Sequence, residues 1–415
     1  MPVTNGWTGG QYSLFRALFG CYLLVHFVDL MPWGSELFSN QGALADGAAS
    51  PLLYLFPNVL ALMDPPWLVT ALLAGAAVAS IFFALGTWDR TAALVQWYAL
   101  ACLFGRNPLI ANPALPFLGW MLVAHFVLPK APFGSLAARG RTDPRGGWQM
   151  TEAIYGAAWI VMALAYSYSG YTKLISPSWV DGSALSRVLE NPLARPTILR
   201  DFFLALPPIF LQLATWGGLG LELLYAPLAL FHRLRPWIWL LMVAMHLGLV
   251  TLIDFADLTL GMLLLHAFTF DPAWIAPKSV NQRSTIFYDG HCGLCHGFVR
   301  FVLAEDRRRA NILFSPLQGE HFTSSVPPDR RAGLPDSVVV QTGDGRLLVR
   351  SAAVIEILQQ LGGVWRLIGI AAARLPRKFL DGCYDLIARV RRQLFTPPAA
   401  ACPLLPEDLQ ERFAP

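Results

Sequence analysis

Long apolar runs fill the first 270 positions of the chain, and shorter, alternating ones fill the rest. A hydrocarbon layer of about 30 Å takes about 20 apolar residues when crossed as a helix. Runs of that kind fall near residues 11–31, 67–86, 91–105, 109–129, 150–172, 207–231, 236–254 and 255–271, which predicts about eight membrane spans. Residues 51–63 are apolar too, but Pro51 and Pro57 interrupt them and predict an interfacial or re-entrant piece. From residue 284 the period shortens. Residues 284–288 (STIFY) predict a strand, and 297–309 place apolar residues at 298, 299, 301, 302 and 303 ahead of a charged end, which predicts a helix. Residues 312–315, 337–342 and 347–350 predict three more strands, the last two joined at Gly343-Asp344-Gly345. Residues 352–361 predict a second helix, and two amphipathic helices with a Pro-rich tail follow.

The expected fold class is therefore a polytopic α-helical membrane domain over residues 1–283 and a thioredoxin-like α/β domain with C-terminal helices over residues 284–415. Charge agrees with that boundary. Residues 1–283 carry 29 Lys, Arg, Asp and Glu, and residues 284–415 carry 29 in less than half the length. The whole chain is 55% apolar and 14% charged, against about 25% charged in a soluble domain. A net charge of +4, with no basic cluster interleaved with aromatics, excludes nucleic-acid binding. Six cysteines are too few for a disulfide scaffold, and Cys21 and Cys102 read as small buried hydrophobes. Basic residues of the connecting segments favour the side of Arg90, Lys130, Arg139 and Lys278 over that of Arg106 and Lys173. Such an excess marks the cytoplasmic face. The N-terminus and the C-terminal domain are thus expected in the cytoplasm, with the protein in a bacterial inner (plasma) membrane. The first apolar run lacks a basic lead and a small-residue exit, and is expected to be retained.

Ionisable residues inside the apolar runs are Arg16, His26, His125, Glu152, Glu222, His246 and His266. Each unpaired charge costs about 2.5–3.5 kcal/mol on insertion scales. A single histidine there reads first as a hydrogen-bonded core residue. Glu222 needs either a proton or a base such as Arg16 or Lys173, and Gly217, Gly218 and Gly220 are expected to let a neighbouring helix approach it. Lys173 closes an apolar run, with Trp179 six residues on. That spacing fits a snorkelling lysine with an aromatic anchor, and it also fits a base in a dry pocket. The stretch Gly170, Lys173, Leu174, Trp179, Val180 and Gly182 resembles the membrane domain of vitamin K-dependent gamma-carboxylases, within the horizontally transferred transmembrane (HTTM) family. Arg106-Asn107-Pro108-Leu109, and His246 followed by Asp257–Met262, are similar to that family as well, so the resemblance covers residues 10–272. It implies Lys173 as the base that activates a hydroquinone, with Glu222, His246 and Trp179 lining a site for a quinone or other lipophilic molecule. The large extracytoplasmic domain of the carboxylases has no counterpart here, which argues against glutamate carboxylation.

The second constellation is Asp289-Gly290-His291-Cys292-Gly293-Leu294-Cys295-His296, between a predicted strand and a predicted helix. A helix start presents free N–H groups and partial positive charge, which stabilise a thiolate. The first cysteine, if exposed, attacks a disulfide, and the second, one turn on, resolves the mixed disulfide. Cys292 is the expected nucleophile and Cys295 the resolving thiol. Asp289 is placed to take the proton of Cys295, and His291 to favour the Cys292 thiolate. The same residues also fit a c-type haem attachment pattern, part of a zinc site, or a structural pair. The motif, with Phe314–Gly319, Pro335–Val339, Arg350–Ala353 and Ala401–Leu404, resembles the DCC family of thiol-disulfide oxidoreductases over residues 284–412. That resemblance implies a thiol-disulfide oxidoreductase; joined to the apolar first part, the leading expectation is a membrane-tethered oxidoreductase whose partners are the bilayer, a lipophilic small molecule and a disulfide-bearing protein. The competing expectation is a carboxylase-like lyase or oxygenase based on Lys173, with the dithiol as accessory reductant.

Overall fold

Proline opens and glycine closes one of the long apolar helices of the chain. The computed structural model describes residues 5–110, 112–279, 282–306, 312–395 and 406–414. Among them Gly9–Leu30 forms α1, Pro66–Leu85 α2, Asp89–Arg106 α3, Leu115–Val127 α4, Glu152–Lys173 α5, Ile198–Leu204 α6, Pro208–Leu223 α7, Arg235–Leu252 α8 and Ala256–Thr269 α9. In α2, Pro66 stands in the first turn, where no intrahelical donor is lost. Gly86, just past its end, takes φ +69° and donates its N–H to the carbonyls of Phe82 and Phe83. The buried Arg16 guanidinium donates to the Phe83 carbonyl at 2.8 Å and lies 3.9 Å from Asp89. It thus serves a helix end.

The chain divides into two compact units. The first includes the described residues of 15–128 and 151–270, and the second those of 5–14, 129–150 and 271–414. Among the described residues, three helical stretches are long and apolar enough to cross a membrane: Gly9–Phe38, Pro66–Leu85 and Arg235–Leu252. The α6–α7 pair, bent by 104°, would make a fourth. The expected count of about eight is not supported. Several apolar runs fold short of a span. The 13 residues of α4 rise only about 20 Å, against about 30 Å of hydrocarbon. Pro207 and Pro208 end α6 and turn the chain into α7. Two further expectations are corrected. Cys21 is exposed on α1, whereas Cys102 is buried. Arg106 is no free loop charge: it is fully buried, 2.7 Å from both Asp64 and the Leu44 carbonyl.

In the second unit Ser284–Tyr288 forms β1, Gly293–Glu305 α10, Ile312–Pro316 β2, Glu320–Ser325 α11, Pro328–Ala332 α12, Val339–Gln341 β3, Leu347–Val349 β4, Arg350–Leu361 α13, Gly363–Ala372 α14 and Arg377–Leu394 α15. The sheet order is β2-β1-β3-β4, with β1 and β2 parallel and the other pairs antiparallel. Side chains alternate across it. Ile286 and Tyr288 join Phe314, Val340 and the apolar stripes of α10 and α13 on one face, while Phe287 and Val339 pack on Phe322 of α11 and on Val326 on the other. The predicted strands and helices are present with shifted ends. The first helix begins at Gly293 rather than at 297, and α11 and α12 were not anticipated between β2 and β3. Residues 307–309 and Ala401–Leu404, including Cys402, lie outside the described residues.

Candidate functional site

β1 ends at Tyr288, and the next four residues turn into α10. The Cys292 N–H donates to the Asp289 carbonyl at 3.2 Å, and the Cys292 carbonyl accepts from the His296 N–H at 3.1 Å. Cys292 is therefore the residue that caps α10, in extended conformation, and Cys295 lies in the first turn. The two sulfurs lie near enough for Cys292 to influence the Cys295 proton, and both are free of disulfide.

Exposure runs opposite to expectation. Cys292 is 1% exposed, whereas Cys295 is half-buried and reaches an apolar groove. The tight turn explains the reversal. Asp289 is itself buried and accepts from the His291 N–H at 3.0 Å and from Gln318 Nε2 at 3.3 Å. The turn is thus drawn closed around Cys292, and the groove begins one helical turn later. The His291 ring is 81% exposed and faces Asp289 at 3.9 Å. His296 is held by the Gly290 carbonyl at 2.8 Å and by the ring of Tyr288. Among the described residues no three His, Cys, Asp or Glu side chains converge to hold a metal ion.

Arg391 was not anticipated. It is 2% exposed, lies 3.7 Å from Asp289 and pairs with Asp336. Burial pulls this guanidinium down, but the Asp336 carboxylate and the Cys295 sulfur outweigh it and hold it above the usual arginine value. Burial pushes the Cys295 thiol up to about 12, and the Cys292 sulfur adds to that, while Arg391 pulls the other way. The signal for Arg391 was present in the sequence. Leu380, Tyr384, Ile387 and Arg391 recur at helical spacing on α15, so a charge ends an otherwise apolar stripe. These four residues line the groove together with Leu294, Cys295, Phe298 and Cys383, around a cavity of about 400 Å³.

The first unit gathers a separate polar cluster. Gly170 brings α5 against α7: a Cβ there would stand 2.5 Å from the Leu223 nitrogen. Gly217, Gly218 and Gly220, expected to permit this approach, face open space. Lys173, at the end of α5, pairs with Glu222 of α7, donates to Ser169 Oγ at 2.9 Å, and holds its Nζ 5.0 Å from the Trp179 ring centroid. His246 is not bonded to that pair. It and His266 meet the Tyr166 hydroxyl at 2.7 and 2.8 Å. Lys173, Glu222 and Trp179 are thus brought together, and His246 belongs to a neighbouring triplet whose Tyr166 had not been singled out.

Residues 286–397 match the family described as DCC1-like thiol-disulfide oxidoreductase. The uncharacterized protein YuxK of Bacillus subtilis is 33% identical over 134 residues, which is 31% of this chain and 93% of that protein. The chloroplastic DCC family protein At1g52590 of Arabidopsis thaliana is 30% identical over 115 residues, 28% of this chain and 66% of that protein. No solved structure matches the chain.

Proposed function

We propose, for a chain that belongs through its C-terminal part to the DCC1-like thiol-disulfide oxidoreductase family, that Cys292 and Cys295 cycle between dithiol and disulfide. In the oxidising direction two S–H bonds break, one S–S bond forms, and two electrons and two protons pass to the acceptor. The observation that carries the reading is the placement of two free sulfurs at the cap and in the first turn of α10, near enough to influence each other, with a cation close by. Such proximity is what resolution of a mixed disulfide requires. The strand order and the position of the pair support a thioredoxin-like domain. The three long apolar helices support tethering to a bilayer. In this reading the membrane is the bacterial plasma membrane, with the N-terminus and the dithiol on its cytoplasmic side. The partners are a disulfide-bearing protein or a lipophilic acceptor such as a quinone. The test is equilibration of the full chain in glutathione buffers of graded potential, followed by alkylation and peptide mapping. One two-electron transition to a linked Cys292–Cys295 peptide is expected. Thiols that stay free at the oxidising end remove the reading.

A second reading is favoured by the geometry around Lys173. Its pairing with Glu222 beside the Trp179 ring puts an amine and a carboxylate within one hydrogen bond, so that a proton taken up by one can pass to the other. With the resemblance of residues 10–272 to the HTTM carboxylase-like domain, this supports proton abstraction from a lipophilic substrate, the dithiol acting as reductant. Lys173→Ala and Cys292→Ser separate the two readings. An activity lost only with the lysine assigns the chemistry to the first unit.

A further inference from the structure

The groove between α15 and the α10–α13 face holds more than the thiol pair needs. Its walls are apolar: Leu294, Phe298, Val354, Leu358 and Ile387. Most of its polar atoms already have partners. The Tyr384 hydroxyl accepts from the Val338 N–H at 2.9 Å, and the Ser351 hydroxyl donates to Asp381. What remains is sulfur, from Cys295 and Cys383, and the buried Arg391, whose Nε–H has no acceptor among the described residues. A peptide disulfide laid into this groove would have to bury backbone N–H and C=O groups without partners, at about 1–3 kcal/mol for each group. A small apolar molecule incurs no such cost. The cavity, about 400 Å³, takes one ring system with a short tail.

We propose that this groove is the binding site for a lipophilic two-electron acceptor of the quinone class, which meets the dithiol at Cys295 rather than at Cys292. The proposal rests on the oxidoreductase reading and deepens it, by placing the acceptor in the second unit. The chemistry balances. The Cys295 S–H adds across a quinone carbonyl, sulfur bonding to carbon and the proton passing to oxygen. Cys292 then attacks the Cys295 sulfur. The S–S bond forms, the C–S bond breaks, and the electron pair leaves with the ring, which takes the Cys292 proton and departs as hydroquinone. Arg391 stands beside the sulfurs, where the departing ring carries negative charge.

The experiment uses the reduced full chain in detergent under anaerobic conditions. The probe is a fully substituted benzoquinone with a decyl tail, whose ring carries no free position for a stable thiol adduct. One hydroquinone is expected for each Cys292–Cys295 disulfide formed, and Ala388→Trp, at a position of α15 that lines the groove, is expected to fill it and slow the reaction at least tenfold. In the wild-type chain, saturating decyl hydroquinone is expected to slow alkylation of Cys295 by N-ethylmaleimide at least fivefold, a readout that needs no variant. Oxidation by glutathione disulfide with no reaction toward the quinone overturns this proposal and leaves the oxidoreductase reading standing. Failure of both oxidants overturns the reading itself. Unprotected Cys295, or an Ala388→Trp chain that reduces the quinone at the wild-type rate, places the acceptor elsewhere.

Discussion

The Lys173 cluster and the thiol pair both sit among apolar side chains, yet they satisfy their polar atoms in opposite ways. Around Lys173, charge meets charge: the ammonium has a carboxylate, a hydroxyl and an aromatic face. Around Cys295, the reactive atom has its partner sulfur, the Asp289 backbone and a cation shared with two carboxylates. The first arrangement lowers the cost of burying ions. The second leaves a sulfur in an apolar groove with chemistry still to do. A satisfied polar cluster is thus an ambiguous sign of function, whereas a dithiol at the wall of a cavity is a specific one.

The comparison is sharpened most by pH. A thiol whose proton is held up to about 12 gains thiolate with every unit of pH below that value. Alkylation of Cys295, followed by peptide mass spectrometry, is expected to rise about tenfold per pH unit from 7 to 10, whereas an ordinary thiol levels off near about 8.5. A plateau below pH 9 would remove burial and the neighbouring sulfur as the controlling influences. Next in size is the ion pair. Glu222→Gln leaves the Lys173 charge, 22% exposed, without its carboxylate. A loss of about 2 kcal/mol is expected, below the range for a fully buried pair, read as a lowered Tm in detergent. The double variant Lys173→Met with Glu222→Leu is expected to recover most of it. If the single variant is as stable as the wild type, the pair contributes nothing. The smallest effect belongs to Arg391→Met. It removes the cation that pulls the Cys295 proton down and is expected to slow Cys295 alkylation at pH 8 by about three- to tenfold.

The dithiol was legible because its signals are local. A strand, a turn and an amphipathic helix are each written in a few adjacent residues: β1 lies where the pattern put it, and α10 starts four residues early, taking Cys295 into its first turn. What covers the cysteines was not legible. Burial of Cys292 follows from Asp289 and Gln318, 29 residues apart, closing one turn, and the groove at Cys295 is roofed by α15, about 90 residues further along the chain. That burial removes the argument for an exposed first cysteine, so the redox reading now stands on the family match and on Cys295. The helical region fared differently. Apolar composition marks a run, but whether it becomes a 20-residue helix like α2 or a 13-residue one like α4 depends on where proline and tertiary partners end it. The same holds for glycine, since of the four residues near Glu222 that permit close approach by composition, only Gly170 makes it.

Which sulfur is met first is the most direct question. The full chain carrying Cys292→Ser and the one carrying Cys295→Ser are each treated with an aromatic disulfide that releases a coloured thiolate, and the mixed disulfides are located by mass spectrometry. Cys292→Ser, which keeps the groove-facing sulfur, is expected to trap a stable adduct on Cys295, at least tenfold faster than Cys295→Ser forms one on Cys292. An adduct that forms faster on Cys292 would show that the buried sulfur is the entry point, and would contradict the account.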